Sequence, residues 1–188
     1  MEKQERSSSG TLERGSAAAL VEDIRALVQS TADNEAVPRA VGDLLPAYLR
    51  STTLLAGHDL TPDDDRYRQV VVHAEPDGSF SIVALVWLPG QVTPVHDHLA
   101  WCVVGVVEGA EWETGYRLEA GPDGCRLVPA GERVNEAGSV QVLLPPGDIH
   151  RVANEGDGLA VSLHVYGVDV TRVGSSIRRL YDLPVATA

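Results

Sequence analysis

The segment Gly90-Gln91-Val92-Thr93-Pro94-Val95-His96-Asp97-His98 is the most informative part of this sequence. Successive side chains of a β-strand alternate between its two faces, so His96 and His98 point to the same side. Neutral imidazole is the commonest metal ligand in proteins, and two rings on one face can hold one ion. A second stretch, Pro145-Pro146-Gly147-Asp148-Ile149-His150, ends in another histidine. If the strands close into a barrel, His96, His98 and His150 can together form a three-histidine metal site.

The length and composition disfavour several classes of protein. A chain of 188 residues is most simply one domain with short extensions. Its 15 basic and 27 acidic residues give a formal net charge of −12, which disfavours binding to nucleic acid or to an anionic membrane surface. The sequence contains no apolar run long enough to span a bilayer, and its N-terminus lacks the apolar region of a secretory signal. With two cysteines, we expect no disulfide scaffold and a reduced, cytoplasmic setting.

The pattern of apolar residues predicts helices first and strands afterwards. We expect a disordered tail over residues 1–10, a helical extension over 11–60 and a barrel over 61–188, all as one domain. The extension should contain one helix beginning near Thr11 and a second over residues 38–49. Short β-branched runs predict strands at residues 69–73, 81–88, 102–107, 111–118, 139–144, 151–153 and 160–166, which is typical of a sandwich or barrel. Residues 173–181 are predicted to form a short helix.

Both histidine stretches fit the two sequence boxes of the cupin superfamily, whose members are small double-stranded β-helix barrels. The first box reads Gly, five residues, His-x-His, three or four residues, Glu, six residues and Gly. Here Gly90, the two histidines and Gly109 occupy its landmarks, while Cys102 stands where the box has Glu. The second box, Pro-x-Gly-x-x-His-x-x-x-Asn, is matched from Pro145 to Asn154. The resemblance implies a mostly β cupin barrel with an α-helical N-terminal extension.

The absent glutamate changes the chemistry of the predicted site. Three neutral imidazoles leave a divalent ion with its full +2 charge, which favours an anionic ligand such as a thiolate in the open positions. A three-histidine face also leaves about three octahedral positions free for substrate and dioxygen. Imidazole binds zinc and copper as well, so the spacing does not by itself select iron. Cys102 itself is more often a small apolar core residue than a metal ligand.

A second group of polar residues lies in Ser162-Leu163-His164-Val165-Tyr166. Alternation places Ser162, His164 and Tyr166 on one face of a strand and two apolar residues on the other. Inside a small barrel these polar side chains must satisfy one another or a ligand, because an unpaired buried polar group costs roughly 1–3 kcal/mol. The pattern favours a Ser–His–Tyr relay that presents a phenol towards the metal. An outward-facing polar stripe is the alternative.

Together these features resemble the cysteine dioxygenase family of thiol dioxygenases, over roughly Asp65 to Tyr181. The resemblance implies one Fe(II) per chain, held by the three histidines, and addition of both atoms of O2 to a thiol to give a sulfinate. It implies that the Ser–His–Tyr group acts as an outer-sphere relay. The implied partners are a small-molecule thiol and O2, and the oligomeric state is left open. A non-catalytic metal-binding cupin, used as a sensor or small-ligand carrier, is the alternative from another class.

The resemblance also bears on the substrate. Cysteine-specific members carry Tyr-x-Arg before the metal box, where the Arg pairs with the substrate carboxylate, whereas this chain reads Tyr67-Arg68-Gln69. The glutamine resembles the bacterial branch that prefers 3-mercaptopropionate. In that branch an Arg beyond the relay strand binds the carboxylate; Arg179 is the best match, and Arg172, Arg178 or a plain basic face are alternatives. A strict L-cysteine dioxygenase, in which Arg68 binds the carboxylate, is the rival within this class.

Cys102 also raises a covalent alternative. In mammalian-type members of the family a cysteine near this position forms a thioether with the relay tyrosine, and bacterial members tend to have glycine there. Cys102 aligns with that cysteine if one residue is deleted after His98. The resemblance therefore leaves a Cys102–Tyr166 crosslink open.

Overall fold

The computed structural model describes residues 13, 15–30, 33, 35–122 and 124–186. The tail predicted over residues 1–10 lies outside this part of the chain. Helices come first, and strands follow, with one short helix before the last strand. Among the described residues, we find no helix with the length and apolar character needed to cross a membrane.

Three helices form the N-terminal region: α1 (Ala17–Ser30), α2 (Ala36–Leu44) and α3 (Pro46–Leu49). Helices α1 and α2 each bury one apolar side. The single helix predicted over residues 38–49 is wrong, because the structure divides it before Pro46. Proline has no backbone N–H to donate and its ring crowds the preceding turn, so Pro46 begins a new helix at the position that tolerates it.

The strands build two antiparallel sheets. In chain order, β1 to β10 are Arg68–Ala74, Ser81–Trp87, His96–His98, Cys102–Glu108, Ala110–Gly121, Gly124–Glu136, Val140–Leu143, His150–Ala153, Ala160–Tyr166 and Ile177–Leu180. The first sheet has the order β1-β2-β9-β4-β7, and the second has the order β10-β3-β8-β5-β6. Every predicted strand falls on an observed strand. The expected mostly β barrel with a helical N-terminal extension is confirmed.

Two strands were absent from the sequence-based prediction. Strand β6 pairs with β5 along its length, and its residues are mostly exposed, so it lacks the apolar alternation that marks a strand. The helix predicted over residues 173–181 is wrong, because this segment contains β10, which pairs with β3. The short helix before it, α4 (Val170–Val173), ends at Gly174 in the left-handed region. Pairing with the edge of β3 overrides the local pattern.

An apolar core lies between the helices and the outer face of the first sheet. Alternate residues of β2, β4 and β9 point into it: Ile82, Ala84, Val86, Val103, Val161, Leu163 and Val165. The helices approach the sheet closely at Gly105 of β4. An added Cβ there would lie 2.8 Å from side-chain carbons of Leu45 and Leu49, so glycine is needed for this packing.

The inner face of the same sheet looks into the barrel. A second core lies here, built from Val83, Leu85, Trp87, Cys102, Val104, Ala160 and Tyr166 of the first sheet and Val152 of the second. Gly109, at the turn after β4, packs closely against the neighbouring backbone. An added Cβ there would lie 2.5 Å from the Leu159 carbonyl oxygen. The polar residues of β9 share this inner side with the second core.

Candidate metal centre

The three predicted ligands come together inside the barrel. His96 and His98 lie on β3, and His150 begins β8, where it stands directly opposite His96 in the antiparallel pair. One nitrogen of each ring lies within 4.8 Å of one nitrogen of each other ring, and all three residues are buried. Rings at this separation can hold one ion between them.

Two of the rings are oriented by carboxylates. His98 Nδ1 lies 2.9 Å from Asp148 Oδ2. His150 Nδ1 lies 3.0 Å from Glu113 Oε1. A hydrogen bond at Nδ1 places the proton there and leaves the Nε2 lone pair free to bind a metal. His150 Nε2 is buried and has no hydrogen-bond partner among the described residues, which fits a metal ligand.

His96 is oriented by the backbone, since its Nδ1 lies 2.9 Å from the Pro94 carbonyl oxygen. Burial, followed by electrostatic repulsion from any positive charge on neighbouring His150 or His98, lowers the pKa of His96 to about 3. The ring is therefore neutral at physiological pH, which is the form that binds metals. Three converging imidazole rings, each with its Nδ1 in a hydrogen bond, fit a divalent transition-metal ion bound through Nε2.

The sequence analysis did not predict the two carboxylates that hydrogen-bond to the histidine rings. Burial alone would raise the pKa of Asp148 and Glu113, but hydrogen bonds from His98 and His150 hold both pKa values below their ordinary ranges. Asn135 Nδ2 also donates to Glu113 Oε2 over 3.1 Å. Such acceptors fix the ring orientation and make the ligand nitrogen more basic. Asp148 lies within the second histidine stretch, but only the pairing of β5 with β8 brings Glu113 to the site.

Asp97, between the first two ligands, has a structural role. Its Oδ2 accepts hydrogen bonds from Arg178 Nη2 over 2.7 Å and from Tyr181 Oη over 2.9 Å. Burial acts to raise the pKa of Asp97, but these hydrogen bonds hold it below the ordinary value. The ionised carboxylate therefore ties β3 to the segment that contains β10.

The Ser–His–Tyr group lies on the inner face of β9. Ser162 Oγ is 3.0 Å from His164 Nε2, and Tyr166 Oη is 3.2 Å from His164 Nδ1. Trp87 Nε1 donates to Ser162 Oγ over 3.3 Å. The Tyr166 and His98 rings lie next to each other, with their centroids 6.1 Å apart. The polar strand and the histidine cluster therefore share one space.

Cys102 and Tyr166 are directly opposite each other in the antiparallel pair of β4 and β9. Cys102 Sγ also lies 3.9 Å from His164 Nδ1. Burial raises the pKa of the Tyr166 phenol and that of the Cys102 thiol well above their ordinary values. Both groups are therefore neutral at physiological pH and retain their protons.

A third buried carboxylate, Glu111 on β5, lies beside this group. The residue is 1% exposed, and its Oε1 is 3.9 Å from His164 Nε2. That oxygen has no hydrogen-bond partner among the described residues. Alternation places Glu111 and Glu113 on one face of a strand, but the sequence alone does not say that this face is the inner one.

A narrow cavity of about 30 Å³ opens onto the histidine cluster. Its wall contains the three candidate ligands, His164 and Tyr166, together with Tyr67, Gln69, Leu85, Trp87, Thr93, Val152, Ser175, Ser176 and Ile177. Tyr67 and Gln69, both expected at the substrate site, also line an adjoining outer pocket of about 480 Å³ with Asp63, Arg66 and Arg68.

The arginines expected to bind a substrate carboxylate lie outside the narrow cavity. Arg68 Nη2 is 2.8 Å from Asp59 Oδ2. Arg179 is mostly exposed, and its Nε is 3.8 Å from Asp97 Oδ2. Arg172 pairs with a neighbouring aspartate beside α4. The structure therefore places none of these three side chains in the wall of the narrow cavity, and each lies beside an acidic residue that is also outside this wall.

Comparison with known protein families shows which family the chain belongs to. A family model described as cysteine dioxygenase type I matches residues 6–174, which include both histidine stretches and the Ser–His–Tyr strand. The chain belongs to the cysteine dioxygenase type I family. The resemblance to cysteine dioxygenases is thus confirmed at the level of the family, and the family match leaves the preferred thiol open.

Several solved structures are similar over part of this cysteine dioxygenase type I chain. A protein from Thermus thermophilus is 22% identical over 57% of this chain and 89% of its own, with a TM-score of 0.43. An RmlC-like cupin from Desulfovibrio desulfuricans is 24% identical over 63% of this chain and 96% of its own, with a TM-score of 0.43. A protein with a double-stranded β-helix domain from Klebsiella pneumoniae is 20% identical over 58% of this chain and 83% of its own, with a TM-score of 0.43.

This member of the family departs from the first cupin box at Cys102. The cluster of potential metal-binding groups in the described residues contains the three histidines and no carboxylate. Asp148 and Glu113 act behind the rings, at Nδ1, and do not replace the missing ligand. The expected three-imidazole donor set therefore fits the geometry of the site.

Proposed function

We propose that this protein is a non-haem Fe(II) thiol dioxygenase that adds O2 to the sulfur of a small thiol and forms a sulfinate. One observation carries the proposal: the three histidines and Tyr166 face one cavity in a cysteine dioxygenase type I chain. His96, His98 and His150 would hold the ion through Nε2. A three-histidine face leaves open positions for a thiol and dioxygen.

The proposed reaction balances without a further reductant. A ferrous ion in the site would lower the thiol pKa and bring the sulfur and dioxygen together on one centre. In the net reaction both oxygen atoms become bonded to sulfur, which loses four electrons to them. The thiol proton ends as the proton of the sulfinic acid.

The residues of β9 would hold a proton at the phenol oxygen. Trp87 donates to Ser162 Oγ, which leaves the Ser162 hydroxyl free to donate to His164 Nε2. His164 then carries its proton at Nδ1 and donates it to the Tyr166 oxygen. In this arrangement the Tyr166 O–H is free to donate into the cavity, towards the reacting sulfur or oxygen atoms.

The cavity limits the size of the substrate. About 30 Å³ is room for roughly two water molecules, so a thiol must be short or extend into the outer pocket. The expected substrates, 3-mercaptopropionate and cysteine, are both short. The arginines expected to hold their carboxylates lie outside the cavity, so the proposal is made for small thiols in general.

Oxygen consumption by the iron-loaded protein tests the function directly. We expect thiol-dependent uptake, with one sulfinate formed per O2, for at least one of 3-mercaptopropionate, cysteine and cysteamine. Zinc-loaded protein is the matched control and should take up no oxygen. Tightly held zinc or nickel with no oxygen uptake by the iron form would favour the sensor or ligand-carrier alternative and would sink the proposed function.

We also propose that Cys102 and Tyr166 can become linked by a thioether. Their direct opposition on β4 and β9 supports this, since the thiol and the phenol ring come from neighbouring strands. The reaction breaks one S–H and one ring C–H bond and forms one C–S bond, and one dioxygen takes up the two hydrogens and leaves as hydrogen peroxide. An intact mass lowered by two hydrogen atoms, located to one linked peptide pair, is the expected result after turnover. An unchanged mass would end this part of the proposal.

A further inference from the structure

A cation lies behind one of the two carboxylates that orient the candidate ligands. Arg133, on β6, places its Nε 3.4 Å from Glu113 Oε2. The other oxygen of that carboxylate, Oε1, lies 3.0 Å from His150 Nδ1. A continuous chain of polar groups therefore leads from the guanidinium of Arg133 through Glu113 to the ring of His150, whose Nε2 faces the proposed metal position.

The surrounding strands hold Arg133 in this place. Arg133 and Glu113 are directly opposite each other in the antiparallel pair of β6 and β5. The Nη1 group of Arg133 donates to Gln141 Oε1 on β7, which belongs to the first sheet. Asn135, two residues along β6, donates to Glu113 Oε2 over 3.1 Å. The oxygen of Glu113 that does not face His150 thus has a hydrogen-bond donor and a cation beside it.

Asp148 provides a comparison within the same site. Its Oδ2 lies 2.9 Å from His98 Nδ1 and accepts the His98 backbone N–H over 3.2 Å. Within the described ranges, the ion pairs of Asp148 include no arginine or lysine. The carboxylate behind His98 therefore keeps its charge without a cation beside it, whereas the carboxylate behind His150 shares its charge with Arg133.

This difference bears on the electronic properties of a bound metal. A carboxylate at Nδ1 makes the imidazole a stronger donor, and a stronger donor favours the higher oxidation state of the metal. A guanidinium beside the carboxylate offsets part of its negative charge and weakens this effect. The Glu113 side chain is only 5% exposed, but that of Arg133 is 51% exposed, so solvent screens the pair and the effect should be modest.

We infer that Arg133 weakens the donation from Glu113 to His150 and thereby favours the ferrous over the ferric form of an iron ion held by the three histidines. This rests on the proposed function in one respect, since the bound ion is taken to be iron. Arg133 is a positioning residue, because it acts on the ion through Glu113. Its consequence is a resting protein that O2 oxidises less readily in the absence of a thiol.

The reduction potential of the iron-loaded protein tests the inference without turnover. Arg133→Gln removes the charge and keeps a polar side chain, and Arg133→Lys keeps the charge. We expect Arg133→Gln to shift the equilibrium between Fe(III) and Fe(II) about threefold towards Fe(III), or about 30 mV at about 59 mV per tenfold change. Arg133→Lys should keep the wild-type potential. Redox titration, with the ferric ion followed by electron paramagnetic resonance, measures each protein.

Controls separate the charge of Arg133 from a structural role. Arg117→Gln removes an exposed arginine that pairs with Glu119 on the same hairpin, and it should leave the potential unchanged. An unchanged potential in Arg133→Gln, or the same shift in Arg133→Gln and Arg133→Lys, overturns the inference. Arg133→Met is a second neutral variant with the same expected shift, and it decides the question if Arg133→Gln fails to fold.

A double-mutant cycle tests the route through Glu113. In a Glu113→Gln background, we expect Arg133→Gln to change the equilibrium between Fe(III) and Fe(II) by less than about twofold, because the carboxylate that connects the two groups is gone. A full threefold shift in that background would mean that Arg133 acts on the ion directly, and it would overturn the assigned route.

The outcomes also distinguish this inference from the proposed function. If no thiol supports oxygen uptake but Arg133→Gln shifts the potential as expected, the dioxygenase is removed and the role of Arg133 remains. If thiol-dependent uptake is found and the potential of Arg133→Gln is unchanged, the dioxygenase remains and the role of Arg133 is removed. A protein that binds no iron counts against both.

Discussion

The two faces of the first sheet carry different kinds of residue, although the same strands build both. On β9, Val161, Leu163 and Val165 point outward into the core under the helices, whereas Ser162 and its alternate partners point inward. Neighbouring residues of β9 therefore alternate between a face that stabilises the fold and a face that carries the polar residues of the candidate site.

The energetics of the two faces differ for the same reason. The outer face buries apolar side chains against helices, which stabilises the fold in proportion to the area removed from water. The inner face looks into the barrel, where polar groups of both sheets must find partners, and Glu111 Oε1 on β5 of the second sheet has no hydrogen-bond partner among the described residues. If this comparison is correct, changes to the candidate ligands and polar groups inside the barrel mainly alter metal binding and turnover, and changes on the outer face of the first sheet alter the free energy of unfolding alone.

Loss of a ligand on the inner side should have the largest effect. His150→Ala leaves two imidazoles, and we expect metal affinity to fall by more than about 100-fold, since loss of a ligand's supporting partner alone costs up to that much. The metal content after dialysis measures metal binding, and the melting temperature measures the stability of the fold. His58→Ala, outside the cluster, is the matched control, and full metal retention by His150→Ala would contradict the assignment.

Truncation on the outer side should affect the fold alone. Leu45→Ala removes a fully buried side chain that packs near Gly105, and we expect the free energy of unfolding to fall by about 2–5 kcal/mol. Urea denaturation measures this fall. Metal affinity, measured on the folded variant, should be unchanged. A parallel loss of metal binding would contradict the claim that the outer face affects only the stability of the fold.

Removal of the phenol oxygen should slow turnover while the fold persists. We expect Tyr166→Phe to lower kcat about 100-fold, the usual scale for loss of a positioned proton donor. Tyr48→Phe is the matched control on the outer side, since its hydroxyl bonds to Asp23. That variant should keep its kcat, and an unchanged kcat in Tyr166→Phe would remove the relay from the mechanism.

Loss of the charged hydrogen-bond acceptor behind one ligand should lower the metal affinity moderately. Glu113→Gln removes the charged acceptor at His150 Nδ1, and we expect metal affinity to fall about 10–100-fold. Glu132→Gln, on the exposed part of β6, should leave the affinity as it is. Competition with a chelator measures both variants, and equal affinities would show that Glu113 does not tune the ligand.

The smallest effect should be a gain in stability. Glu111→Leu removes a buried carboxylate oxygen that lacks a partner among the described residues, and we expect the free energy of unfolding to rise by about 1 kcal/mol. Urea denaturation at neutral pH detects this change. Glu132→Leu, at an exposed position, is the control and should change the stability little. A loss of stability in Glu111→Leu would mean that the inner face uses this carboxylate to hold the fold.

Local spacing was sufficient to predict which side chains of β3 and of β9 share a face. His96 and His98 are separated by one residue, and so are His164 and Tyr166, so strand alternation alone places each pair on one face. Glu113 and Glu111 could not be assigned in this way, because β5 carries polar residues on both sides and its pairing partners are distant in sequence. The substrate-binding role expected of the arginines stays a prediction, and in the structure Arg68 lies beside Asp59 and Arg179 beside Asp97.

Strand periodicity, the spacing within each cupin box and the candidate metal-binding histidines follow from the sequence alone, because each depends on positions close together in the chain. Only the tertiary structure decided that Glu113 orients His150, that residues 177–180 form a strand, and that the cavity wall contains no arginine in the described part of the chain. These outcomes depend on contacts between segments far apart in the chain. Hydrogen-bond partners and edge pairing become available only once the barrel has closed.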